Sequence, residues 1–347
     1  MNEISIIRPD DWHLHVRDGA MLRAVLMDSA AVFARAIIMP NLRQPVTTAA
    51  LAAAYRAEIL AALDPGAAFT PLMTCYLSDQ ADPDDLAAGH RDGVFTAAKL
   101  YPAHATTNSE HGVTDLRRIY PVLERMQRIG MPLLLHGEVT DAAVDIFDRE
   151  KVFLDRVLTG LLHDFPTLKI VLEHATTKDA VDFVRAHAGG GRLAATITAH
   201  HLHIDRNAML VGGIRPHYYC LPVAKRATHR QALIEAATSG DACFFLGTDS
   251  APHPRDAKEN ACGCAGIYTA PLALPLYAEI FDRAGRLDRL ESFASRYGAQ
   301  FYGLPVNAGK IRLRKIAKPA PGLSCVGGNA VVPFAPPEPL FWETAFD

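Results

Sequence analysis

The chain has 347 residues, a formal net charge of −3 and 49% hydrophobic residues. That balance leaves no basic field to hold nucleic acid or anionic lipid, and no apolar run approaches a membrane span. The expected partners are small molecules or further copies of the chain. The amino terminus, Met-Asn-Glu-Ile-Ser-Ile-Ile-Arg-Pro, lacks the basic segment, apolar stretch and small-residue cleavage site of an export signal, so a cytoplasmic location is expected. Cys75, Cys220, Cys243, Cys262, Cys264 and Cys325 are too sparse for a disulfide framework and lack paired C-x₂-C spacing, so they read as reduced thiols.

In chain order, short apolar runs that stop at polar, Gly or Pro residues alternate with stretches of helical period, the pattern of repeated β-α units. The first run is 11–16 with the residues before it, and a helix over 20–33 leads to the second run, 36–39. A helix over 48–63 precedes run 70–76, and 94–100 is the fourth run. Helices over 116–129, 142–162 and 178–187 introduce runs 132–136, 169–174 and 193–198. A helix over 226–239 brings the chain to the eighth run, 243–247. Thr47 and Asp115 sit where N-caps belong, and Leu116, Ile119, Val122, Leu123 and Met126 follow helical spacing toward one buried face. Eight strands with crossovers favour a closed parallel (β/α)8 TIM barrel of the α/β class over an open sheet, because closure removes both edges. A Gly/Cys-rich loop, helices over 272–283 and 289–297, and a Pro/Gly-rich tail from 319 follow; the tail is expected outside the barrel. Without a repeat or a low-complexity linker, 1–347 is expected to form a single domain.

Histidine is the informative excess, with 15 residues, several at the ends of apolar runs. In Asp11-Trp12-His13-Leu14-His15-Val16-Arg17, side chains at i and i+2 share one strand face, so His13 and His15 can hold one ion. A lone H-x-H is equally consistent with two surface or core histidines. His136 and His174 each close a further apolar run, and a barrel places its catalytic groups at such strand ends. Either one alone reads as a satisfied core histidine. Asp249 follows Phe-Phe-Leu-Gly-Thr, where a carboxylate is costly unless paired or bound to metal. Lys99 ends another apolar run, and the alternatives are a snorkelling lysine or an ion pair with an acid. Beside two cations its pKa would fall, and the neutral amine could add carbon dioxide to become a bridging carbamate. Such a donor set suits zinc. Arg17, two positions beyond His15, shares the inward face and can offer a bidentate fork to a carboxylate; the bland reading is a surface arginine at a loop entry.

Asp-Trp-His-Leu-His-Val-Arg-Asp-Gly (11–19), Ile-Met-Pro-Asn-Leu (38–42), Ala-Lys-Leu-Tyr-Pro (98–102), His-Gly-Glu (136–138), Glu-His-Ala-Thr-Thr-Lys (173–178) and Gly-Thr-Asp-Ser-Ala-Pro-His (247–253) resemble the bacterial type II dihydroorotases of the metal-dependent amidohydrolase superfamily. The likeness runs from about Arg8 to Pro305. It implies two zinc ions per subunit, one held by His13, His15 and Asp249 and the other by His136 and His174, bridged by N6-carboxylated Lys99 and a hydroxide. It implies interconversion of N-carbamoyl-L-aspartate and dihydroorotate in pyrimidine synthesis, hydroxide attacking the ring amide carbonyl and Asp249 acting as general base and acid. It implies substrate contacts from His15, Arg17, Asn41, His136 and His253, with backbone groups of Leu221 and Ala265 reading the ring's amide edge. On their own, Asn41 reads as a turn residue and His253 as a loop histidine. The polar, small-residue segment 102–112 fits a loop that closes over substrate, and the resemblance implies that Thr106 and Thr107 act from it as a lid. It also suggests a homodimer. The chain departs from the family at His104 and His200, where the family usually carries asparagine and glutamine. Cys262 and Cys264, one residue apart, have poor spacing for a zinc hairpin.

Three other readings are open at this stage. A hydantoinase-like or allantoinase-like cyclic-amide hydrolase would share the metal ligands but not the grip of Arg17, Asn41 and His253. A non-catalytic amidohydrolase-like scaffold often lacks metal ligands, whereas the six residues expected here are all present. A metal storage or sensing protein would cluster its histidines locally.

Overall fold

The computed structural model describes residues 2–318 and 331–346; the first part of the expected tail, 319–330, and with it Cys325, lies outside the described residues. β1 (Glu3–Ile7) is followed by β2 (Asp10–Leu14), β3 (Arg35–Ile38), β4 (Thr70–Leu77), β5 (Phe95–Leu100), β6 (Leu133–His136), β7 (Ile170–Glu173), β8 (Leu193–Ile197) and β9 (Phe244–Leu246). From β2 to β9 the strands pair in chain order, all parallel. The seam closes through a parallel bridge between Leu14 and Ser250 and through the Asp249 amide, which donates to the His13 carbonyl at 2.9 Å. This is the expected (β/α)8 barrel.

Parallel strands covered on both faces read as continuous apolar runs, and every residue of β6, β7, β8 and β9 is buried. Alternation then sorts the side chains. Trp12, Ile37, Ala97, Leu134, Val171, Ala194 and Phe245 meet inside the barrel, while Leu133, Leu135, Ile170 and Leu172 point out against the helices. The apolar plug leaves the polar strand residues at the carboxyl ends of the strands.

The helix Lys178–His187 has the expected bounds, and its N-cap Thr177 accepts from the Ala180 amide. At the second helix, Ala49–Ala61, the cap is Thr48, whose side chain accepts from the Leu51 amide; Thr47, expected in that role, lies one residue too early. Asp115 does cap, accepting from the Arg117 amide, but the first turn it starts is the 3₁₀ segment Leu116–Ile119, and the α-helix proper is Tyr120–Ile129. The helix expected over 142–162 begins only at Arg149. Asp141 and Asp145 accept from the amides two residues on, Ala143 and Phe147, and these local bonds compete with helix formation. A π turn, Leu154–Leu158, interrupts it before Thr159–Asp164. The helix Pro83–Arg91 was not among the expected elements, although Asp82 caps it and Pro83 starts it.

Of the residues before Asp11, expected to extend the first barrel strand, Asp10 does so, whereas Glu3–Ile7 belong to a different sheet. β1 pairs antiparallel with β10 (Lys310–Lys315), which pairs with β11 (Trp342–Ala345). Pro9 cannot donate to a ladder and marks the break. The described part of the tail lies outside the barrel, as expected. Trp342 is buried there, its indole donating to Asp282 at 3.1 Å. Among the described residues no helix is long and apolar enough to cross a membrane.

Trp12 lies between Asp11 and His13, and its ring stacks on Tyr302 at 4.4 Å. The helix Tyr297–Tyr302 approaches so closely that a Cβ on Gly298 would fall 2.0 Å from the Trp12 indole nitrogen. Gly298→Ala is therefore expected to destabilise the fold by about 1–3 kcal/mol through overpacking. The check is the urea midpoint; an unchanged midpoint would show that the helix yields without strain.

Candidate active site

His13 lies near the end of β2 and His15 just beyond it, and their Nε2 atoms are 3.2 Å apart. Both point at Asp249 Oδ1, His13 at 3.3 Å and His15 at 3.1 Å. His136 ends β6 and His174 follows β7; their rings are 4.9 Å apart, and the His174 ring is 5.1 Å from that of His13. The expected strand-end convergence is present. What the spacing did not suggest is that Arg17, His174 and Asp249 all have positive φ, at 60°, 44° and 47°. Non-glycine residues reach that region at a cost of about 1–3 kcal/mol each, and such residues gather at functional sites. Arg17 consequently reaches the cavity from a turn and not from strand alternation.

The site is a network of buried charge. Lys99, with no solvent exposure, is hydrogen-bonded to Glu173, and its ammonium lies 4.7 Å from the centre of the Tyr101 ring. Glu173 in turn lies 3.0 Å from His13 Nδ1. Burial by itself would lower the His13 pKa, but the carboxylates of Glu173 and Asp249 outweigh it and raise it to about 9. Burial would raise Asp249, yet His13 and His15 hold it well below the usual carboxylate range. Burial drives His15 down to about 3 and His174 well below the ordinary imidazole value, and it lowers Lys99 against the pull of Glu173.

Above this network lies a cavity walled by His15, Arg17, Asn41, Leu221 and Ala265 among others. The Arg17 guanidinium is 3.3 Å from His15 Nδ1 and 3.1 Å from His253 Nε2. His253 stands behind Arg17 and is also 3.0 Å from the Ala265 carbonyl. Asn41 donates to the Thr107 carbonyl at 3.0 Å and accepts at its own carbonyl from Asn108 at 2.9 Å. Thr107 also reaches the Ala265 carbonyl at 3.4 Å, and both Thr106 and Thr107 face the cavity. The loop expected to act as a lid is thus folded over the site.

Several site residues were not singled out from the sequence. Glu173 carries the same mark as Asp249, a carboxylate ending an apolar run. Asp11 accepts from the Thr248 hydroxyl at 2.6 Å, the Thr248 amide at 2.8 Å and the His13 amide at 3.1 Å, tying the first strand to the eighth. Burial raises its pKa to about 6 despite those bonds. Glu150 is buried and accepts from the amides and hydroxyls of Thr176 and Thr177, clamping the segment after His174. Glu138 takes His136 Nε2 at 2.9 Å.

The donors suit a metal. Ligand atoms of His13, His174 and Asp249 lie within 4.8 Å of one another, and His174 Nδ1 is buried without a hydrogen-bond partner among the described residues. An orphaned imidazole nitrogen beside a carboxylate is a cation-binding arrangement, and nitrogen and oxygen donors of this type fit zinc.

The pattern of the amidohydrolase family matches residues 5–318. A dihydroorotase of Cupriavidus taiwanensis is 60% identical over 341 residues, covering 98% of this chain and 98% of its own length. The chain belongs to the dihydroorotases of the amidohydrolase family. It is accordingly a cyclic amide hydrolase. Among solved structures, a Saccharomyces cerevisiae dihydroorotase in complex with 5-fluoroorotic acid superposes with a TM-score of 0.90 at 33% identity, covering 99% of each chain. An L-hydantoinase of Arthrobacter aurescens superposes with a TM-score of 0.81 at 16% identity, covering 99% of this chain and 83% of its own; that likeness is one of fold alone.

In the metal-free dihydroorotase chain, His13 is protonated at pH 7 because its pKa is raised to about 9. A metal that takes its lone pair must displace that proton. Metal affinity should therefore rise with pH up to about 9, by up to about tenfold per unit for one proton released. Calorimetry of zinc binding to the apoprotein in buffers of different ionisation enthalpy checks this; zinc uptake without proton release would refute it.

Proposed function

We propose that this dihydroorotase interconverts N-carbamoyl-L-aspartate and dihydroorotate through a two-zinc centre. The observation that carries the reading is Arg17 beside His15, with Asn41 on the same cavity wall: a carboxylate grip next to a cation site. In this reading His13, His15 and Asp249 hold one ion, and His136 and His174 the other. His136, whose Nε2 faces Glu138 here, would exchange that contact on holding an ion. Lys99, as its carbamate, would supply oxygen donors to both ions. Burial lowers the Lys99 ammonium pKa against the pull of Glu173, a shift toward the neutral amine that carbamate formation requires. Carboxylated, Lys99 would give up its present contact with Glu173. Zinc held there supplies Lewis acidity, polarising the amide carbonyl and making water nucleophilic at neutral pH.

The chain's own groups do the rest. Arg17 and Asn41 hold the substrate carboxylate that does not react, with His253 backing the guanidinium, and this sets the ring carbonyl toward Asp249. Asp249, ionised at neutral pH, accepts the proton of the attacking water at Oδ and returns it to the departing ring nitrogen; ring closure is the reverse. Backbone groups of Leu221 and Ala265 line the cavity where the amide edge would lie. Thr106 and Thr107, on the loop pinned to Asn41 and Ala265, exclude water over the bound ring.

We take residues 1–347 as one domain, supported by β1 pairing with β10 across the whole chain. A reducing compartment such as the cytoplasm is supported by five free cysteines among the described residues. A homodimer is supported by the neighbouring exposed apolar side chains Leu210, Val211 and Ile214, and sedimentation velocity tests it.

Asp249→Asn should reduce turnover at least about a thousandfold, as loss of a general base does. Near-normal turnover with bound metal intact would sink its assigned role. Arg17→Met should raise KM for dihydroorotate at least about tenfold while leaving any slow hydrolysis of dihydrouracil or hydantoin unchanged, because those rings carry no carboxylate. Equal loss on all three rings would remove the carboxylate grip and reopen the hydantoinase-like reading. Thr106→Ala with Thr107→Val should lower kcat; unchanged kcat and KM would end the lid role.

A further inference from the structure

The short helix Ala199–His203, which follows β8, carries two adjacent histidines that the reaction does not use. His200 has no solvent exposure, and neither ring nitrogen has a hydrogen-bond partner among the described residues. A buried polar group without a partner is disfavoured, so it marks a place where a partner belongs. Its ring is 4.4 Å from that of His201, and His201 Nε2 is 3.5 Å from the Cys220 sulfur. All three side chains are buried, and one ligand atom from each lies within 4.8 Å of the others. Among the described residues this is one of two such groups, and neither includes Cys262 or Cys264.

We propose that His200, His201 and Cys220 form a second metal site, separate from the Asp249 centre and selective for a thiophilic divalent cation such as zinc. Two imidazoles and a thiolate are borderline-to-soft donors, the type that zinc accepts in tetrahedral sites. His201 is oriented for the task. Its Nδ1 is 2.8 Å from the Thr198 hydroxyl, and the tautomer that donates there presents the Nε2 lone pair toward Cys220. That same nitrogen is 3.1 Å from the Pro222 carbonyl, so metal binding exchanges this contact for the ion. The thiol ionises as the sulfur–metal bond forms and its proton passes to solvent. Entry is by the active-site cavity, whose wall includes Cys220 next to Leu221. The site does not depend on the substrate reading above, since it uses none of the residues assigned to the reaction.

The Asp249 centre has only nitrogen and oxygen donors, so a thiolate-to-metal charge-transfer band that disappears with Cys220 reports the new site. The test uses holoenzyme carrying Cys262→Ser and Cys264→Ser, titrated with cobalt(II) and followed by near-ultraviolet absorbance. The band should grow to about one equivalent beyond the metal already bound. Adding His200→Gln, which removes one ligand, should abolish the band. Cys220→Ser should do the same, and equilibrium dialysis against zinc should show one ion fewer per chain in both. Absence of a band in the parent, or a band of full strength in the His200→Gln protein, would overturn the proposal.

Discussion

Lys99, Glu173, His13 and Asp249 form a continuous line of contacts across the mouth of the barrel, and each is buried. None could stay ionised alone there, because an unpaired charge in an apolar interior is strongly disfavoured. Each is held by the next. Removing one member leaves another charge unpaired, at about 3–5 kcal/mol by analogy with broken buried pairs. The same mutual dependence fixes where these side chains stand at the mouth of the barrel.

Keeping those groups in register takes support from the backbone. His174 and Asp249 have left-handed backbones, and the contacts around them hold that conformation. The Asp249 amide is anchored on the His13 carbonyl and the His174 amide on the Thr196 hydroxyl at 2.8 Å. Asp11 and Glu150 fasten the segments on either side, Asp11 joining the first strand to the eighth and Glu150 gathering Thr176 and Thr177. These carboxylates touch neither cavity nor substrate in the proposed reaction. They set where the reacting groups stand, while Arg17, Asn41 and the loop over the cavity set what fits between them.

The barrel was legible because its strands are buried on both faces, so each appears as an apolar run, and because the run ends carry the chemistry. His13, His15, Lys99, His136, His174 and Asp249 stood out as polar residues where apolar ones are expected. Local bonding was harder to foresee. The aspartates at 141 and 145 turn the chain where apolar periodicity suggested a helix, and Thr48 took the cap expected of Thr47. The assignment of β1 to a separate sheet with β10 was not legible, because its partner lies some three hundred residues away in the chain.

The sequence by itself determined the repeating β-α order, the strand-end placement of the candidate ligands and, through its motifs, the family. Those depend on residue type and short-range spacing. The tertiary structure decided which charges meet: that Glu173 pairs with Lys99, that Arg17 reaches the cavity through a left-handed turn, that Asp11 closes the seam, and that His200 lies beside His201 and Cys220. Such contacts join segments far apart in the chain, and only closure of the barrel brings them within hydrogen-bond distance.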